Sequence, residues 1–306
     1  MPSDGRWPGF VETLAAWCVV PYDRYVNGDG GRSSEGDGGD GRGGESESEG
    51  VRTGAERAEV LTNLGFDGLA WDWRDEHVAV FEEQLDALQD RNLDLTAIWA
   101  PVPDATVSQA LEAQVRAASG RGLKPQLWAC AEFGAPGPVT EERDPREFAD
   151  RLEPIARLAA ETGLTVALYN HLGWAGEPLN QLRIIEELDA RGFSGAGIAY
   201  MQHHGHAHID DFAELWPQFQ HAVVALGLNG MRDGAHWGDG KVLPYGHGPR
   251  DLELARVIEA SGWRGTVALL GHTMDPIEDR LGDDLAGLEW VARALAAKVP
   301  EPHWPH

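Results

Sequence analysis

Residues 164–201 read "LTVALYNHLGWAGEPLNQLRIIEELDARGFSGAGIAYM". An apolar run, LTVALYN (164–170), gives way to a polar turn and then to LNQLRIIEELDARG, where Leu182, Ile185 and Leu188 recur at helical spacing. Gly192 stands where a left-handed cap would end such a helix. A second apolar run, GAGIAYM (195–201), follows at once. Two short strands without in–out alternation, joined by one amphipathic helix, make a βαβ unit. Its strands run parallel and are buried on both faces.

The same alternation extends in both directions. Further apolar runs lie at 14–20, 66–72, 93–100, 123–131, 223–230 and 265–271, with amphipathic stretches such as HVAVFEEQLDALQDR and RDLELARVIEASG between them. Eight strand–helix units in one chain of 306 residues predict a closed (β/α)8 barrel forming a single domain, 1–306. An open doubly wound sheet would carry a Gly-rich phosphate fingerprint after its first strand, and there is none. One segment stands apart. Residues 27–54, NGDGGRSSEGDGGDGRGGESESEGVRTG, are rich in Gly, Ser and acids with almost nothing to bury, and read as a disordered loop insertion.

Fifty acidic residues against 25 basic ones give a formal charge of −25, and only Lys124, Lys241 and Lys298 are lysines. Such a surface repels itself in dilute buffer; at molar salt the screening length falls to about 3 Å and the penalty fades. The balance is similar to that of proteins from salt-accumulating halophiles. The melting temperature is therefore expected to be higher in molar KCl than in dilute buffer, and an equal or lower value overturns this reading. The negative field opposes a nucleic-acid backbone. Cys18 and Cys130 form neither a disulfide framework nor a CxxC pair, and the N-terminus lacks a basic region followed by a long apolar stretch. No apolar run reaches membrane-spanning length. The expectation is a cytoplasmic protein with no membrane or nucleic-acid partner, for which assembly with copies of itself stays open.

In a barrel of this kind the working residues sit where strands end. The first two strands end near Trp17, Cys18, Asp72, Trp73 and Arg74, the third at Trp99 and the fourth at Glu132. The fifth gives Tyr169, Asn170 and His171. The sixth runs into QHHGHAH, four histidines (His203, His204, His206, His208) in six positions. Asn229 and Arg232 end the seventh, with His236, Lys241 and His247 in the loop behind, and His272 ends the eighth. His77 and His221 fall in helical stretches. Histidine exchanges protons near neutral pH, so eight imidazoles at one end of a barrel point to proton transfer or to ligation of a metal.

At LYNHLGWAGEPLNQLRIIEEL (168–188), GIAYMQHHGHAHIDDF (197–212), LGLNGM (226–231) and LPYGHGPRDLELARVIEASGWRGTVALLGHT (243–273), the chain resembles the xylose isomerase-like TIM barrels of the sugar phosphate isomerase/epimerase superfamily. The stretches AWCVVPYD and WDWRDEH mark a branch of their own. The resemblance implies a carbohydrate isomerase or epimerase that moves a proton beside a carbonyl through an enediol. A lyase or dehydratase, or a sugar-binding barrel without catalysis, are its alternatives. Family members commonly hold one divalent cation through Glu, Asp, His and Glu. Here those places fall at Tyr169, Met201, about Asn229 and Gly271, so the usual carboxylate ligands are absent. Mn, Zn or Fe then suits the chain better than Mg, with His171, His204 and His272 as ligands; a metal-free site is the competing reading. His171, His204 and Glu132 are the candidate catalytic residues. Arg74, Trp99, Asn170, His203, Asn229, Lys241 and His247 are the candidate contacts to a small carbohydrate.

Overall fold

The computed structural model describes residues 6–19, 52–72, 75–134, 139, 141–235, 240–272 and 275–297. Eight parallel strands, β1 (Val11–Trp17), β2 (Gly68–Trp71), β3 (Asp94–Pro101), β4 (Gln126–Cys130), β5 (Thr165–Tyr169), β6 (Gly197–Met201), β7 (Val223–Leu228) and β8 (Gly265–Leu270), close into a barrel in sequence order. The last pairs with the first from Val11–Gly265 to Trp17–Leu270. The outer ring is formed by α1 (Gly54–Leu64), α2 (Phe81–Asp90), α3 (Gln109–Gly120), α4 (Pro145–Thr162), α5 (Pro178–Ala190), α6 (Phe212–Phe219), α7 (Asp251–Ser261) and α8 (Ile277–Ala297).

Two expected boundaries move. β1 begins and ends three residues before the apolar run 14–20, because Cys18 takes a left-handed conformation (φ 61°) that no strand continues through. The expected insertion, 27–54, is shortened at its end. Thr53 is the N-cap of α1, its hydroxyl accepting from the Glu56 N–H while the Glu56 carboxylate accepts from the Thr53 N–H. Residues 27–51 of that expectation lie outside the described residues. His77 and His221 do sit in helical turns, both 3-10.

Inside the barrel, seven strands contribute one alanine each: Ala15, Ala70, Ala97, Ala167, Ala199, Ala225 and Ala268. These small side chains leave the space that Trp128 of β4 and Trp17 of β1 fill edge to face at 5.1 Å. Tyr169, Met201 and Leu270 pack with them, so the barrel axis is plugged by large side chains and the polar strand ends lie above that plug.

Candidate active site

Asn170, directly after β5, uses both ends of its amide on the neighbouring strand: Nδ2 donates to the Met201 carbonyl at 3.1 Å and Oδ1 accepts from the Met201 N–H at 2.7 Å. This side-chain rung carries the β5–β6 ladder one step past the strands and brings His171 against the residues after Met201. There the chain makes two single-turn 3-10 helices, Gln202–His204 and His206–His208. Gly205 joins them because a Cβ at that position would collide with the Tyr200 hydroxyl.

The result is a contiguous stack of imidazoles. Ring centroids are 3.9 Å apart for His203–His204 and 4.4 Å for His171–His204, and Tyr169 meets His204 edge-on at 5.6 Å. His203 and His204 are only 4% and 7% exposed. Burial, then the Lys241 charge for His203 and the neighbouring His203 for His204, holds both well below the usual histidine range, so both are neutral at pH 7. Their Nδ1 atoms are buried with no hydrogen-bond partner in the protein, which marks a place for a polar ligand. The other two histidines of the run serve differently. His208 bridges the Tyr200 hydroxyl (3.0 Å) and Glu177 (3.0 Å), and His206 Nε2 faces the Lys241 carbonyl at 3.3 Å. Leu172, Gly173, His203, His204 and Lys241 line a small cavity of about 20 Å³.

The other predicted residues are distributed unevenly around this stack. Glu132 pairs with Arg143 at 2.6 Å and accepts from the Ala175 N–H at 2.9 Å, bracing the loop after β4 against the loop after β5. Trp99 is half-buried and edge-on to Tyr169. Asn229 is buried, donating to the Gly230 and Lys241 carbonyls, and its Oδ1 has no partner. His247 is exposed. His272 is also exposed, yet its charge is among those acting on His203 and His204. Arg74 lies outside the described residues.

The expected metal triad of His171, His204 and His272 does not assemble. Among the described residues no group of three or more His, Cys, Asp or Glu side chains is arranged to hold a metal ion. The described residues thus do not gather the three-ligand set that the family pattern implied.

Three residues near the stack did not stand out as site residues in the sequence. Tyr169 read as a strand end standing where the family has its first ligand Glu, and its hydroxyl is 3.4 Å from His203 Nε2. Phe133, 48% exposed, lies edge-on to both Trp99 and His171. Asp72, 2% exposed at the end of β2, accepts from the Cys18 thiol at 3.5 Å.

The loop carrying Lys241 is fastened from below. Gly230 and Leu243 exchange both backbone hydrogen bonds, and the Tyr245 N–H donates to Asp284 Oδ1 at 2.6 Å. Asp251 Oδ2 accepts from the Gly246 and Gly248 N–H groups at 2.8 and 2.9 Å. Burial raises the Asp251 carboxyl well above its ordinary value in spite of these bonds, and pushes Asp284 up to about 7 against the pull of Arg280. A carboxyl raised in the folded state keeps a proton that the unfolded chain releases above about pH 4, so its contribution to stability is lost as pH rises through the folded pKa. Asn cannot release that proton. Between pH 5 and pH 8, Asp251→Asn is expected to lose less melting temperature than the parent, and parallel curves would falsify the assignment.

No family model and no curated protein matches the chain. Solved structures do. A 3-keto-D-glucoside 4-epimerase from E. coli superposes with a TM-score of 0.59 at 19% identity, covering 81% of this chain and 97% of the other. A xylose isomerase-like TIM barrel protein from Mycobacterium smegmatis, solved in complex with magnesium, gives 0.58 at 13% over 95% and 97%. A probable 3-DHS dehydratase from Bacillus anthracis gives 0.56 at 14% over 81% and 95%. Likeness at these identities speaks of architecture alone, and on that ground the chain has the fold of the xylose isomerase-like TIM barrels.

Proposed function

We propose that this protein is a carbohydrate isomerase or epimerase that moves a proton on the carbon beside a carbonyl, without a metal ion, through an enediol. The observation that supports it is the cluster of His171, His203 and His204 at the edge of β5 and β6, in which His203 and His204 are buried and neutral and line, with Lys241, a small cavity. A neutral imidazole can take a proton from carbon, and the Lys241 ammonium suits the oxygen on which charge develops. His204 is the base in this reading, and His171 is the group against it that shares or returns the proton. Asn170 and Glu132 act by position: one sets the spacing of the two loops, the other braces them.

Sugars are the substrate class because structural neighbours include sugar epimerases and because Trp99 and Phe133 offer aromatic surface beside the stack. A dehydratase begins with the same proton removal, and one neighbour is a probable dehydratase. Incubating a panel of aldoses, ketoses and keto-sugars with the protein in heavy water tests the reading. Deuterium gained beside the carbonyl with retention of all oxygens supports isomerase or epimerase chemistry, whereas loss of water points to the dehydratase. Binding without deuterium uptake across the panel leaves a sugar-binding barrel.

A further inference from the structure

The Tyr169 side chain packs in the barrel plug, flanked by Trp17, Trp99 and Trp128, with its hydroxyl 3.4 Å from Nε2 of His203. Two arrangements of the proton are open to this contact. A phenol O–H is a stronger hydrogen-bond donor than an imidazole N–H, and an imidazole nitrogen is a stronger acceptor than a phenol oxygen. Burial favours the uncharged form of both partners, raising Tyr169 and lowering His203, so no ion pair competes. The hydroxyl therefore donates, and Nε2 accepts.

A neutral imidazole carries one N–H; with Nε2 accepting, that hydrogen must be on Nδ1. Nδ1 of His203 is buried and has no partner in the protein. We infer that Tyr169 is a positioning residue that locks His203 as the Nδ1–H tautomer, making His203 the hydrogen-bond donor to the carbonyl oxygen of a keto-sugar rather than a base. The inference rests on the proton-transfer reading above and divides labour between adjacent residues. His204 takes the proton from carbon. The C–H electron pair becomes the C=C bond, and the carbonyl π pair moves onto oxygen, where the His203 N–H receives it. His203 neither gains nor loses a proton, and no oxidant or co-reactant is needed. A neutral imidazole donor has the right strength for this task, because its own acidity is close to that of an enediol.

The test reads the tautomer directly. Protein labelled with 15N in its histidine rings, with His203 assigned by its disappearance in His203→Gln, is expected to show a His203 ring protonated on Nδ1 and bare on Nε2 at pH 7. Tyr169→Phe removes one oxygen and is expected to raise the Nε2–H form, and to slow deuterium uptake by the turned-over sugar about a hundredfold. A wild-type ring protonated on Nε2, or a tautomer unchanged in Tyr169→Phe, overturns the inference. Should that variant fail to fold, the wild-type spectrum decides alone. The spectrum needs no substrate, so a failed tautomer assignment and a failed sugar panel are separate results.

Discussion

Replacing His204 by alanine is expected to lower kcat about 10³-fold, to the edge of detection, while the protein still folds. Loss of a positioned base costs roughly 10²–10⁴ in rate. The ring sits between His171 and His203, in contact with Tyr169, so no other imidazole can take its place without breaking the stack. Stability should change by about 1 kcal/mol or less, because truncation loses packing but also removes a buried nitrogen that makes no hydrogen bond. The same environment sets the pH profile. Burial holds His204 well below the ordinary histidine value, so the acid limb of kcat/KM should fall below about pH 6.5. Full turnover in His204→Ala removes it from the mechanism, and an acid limb at the ordinary histidine value contradicts its buried, neutral state.

The barrel was legible because each strand is covered on both faces and so appears as an unbroken apolar run, with helices marking the intervals. Its ends were less so: the run 14–20 stays apolar beyond Trp17, and only the backbone of Cys18 stops the strand. The location of the site was legible for a topological reason, since residues that follow parallel strands share one rim. What each polar side chain does there depends on partners far along the chain. Glu132 read as a carboxylate at a strand end, and its partners, Arg143 and the Ala175 N–H, lie further along its own loop and in the loop after β5. Of the four histidines after β6, the sequence singled out His203 and His204 by their place nearest the strand end. The four divide because Tyr200, behind Gly205, captures His208 while Met201 and Asn170 aim the first pair inward. The metal expectation meets the same limit: ligation needs lone pairs to converge, strand-end positions do not reveal convergence, and the described residues hold no group of three or more ligands arranged for it.

Gly287→Ala is expected to destabilise the fold by about 3 kcal/mol or more, which for a chain of this size lowers the melting temperature by roughly 5 °C or more. Helix propensity alone favours the change by about 1 kcal/mol. Packing decides otherwise. A Cβ at 287 would overlap the Tyr245 carbonyl oxygen and stand 2.5 Å from its carbon, and both are backbone atoms. The loop cannot retreat cheaply, because Tyr245 and Gly246 are tied to Asp284 and Asp251. Either α8 shifts from the barrel or the loop lifts, and the second route carries Lys241 away from the His203–His204 cavity. Gly282→Ala supplies the control within the same helix: its Cβ would meet nothing within 4 Å, so that variant should be neutral or gain up to about 1 kcal/mol. If the two variants melt alike, the loop does not press on α8, and the anchoring of Lys241 through Tyr245 fails with it.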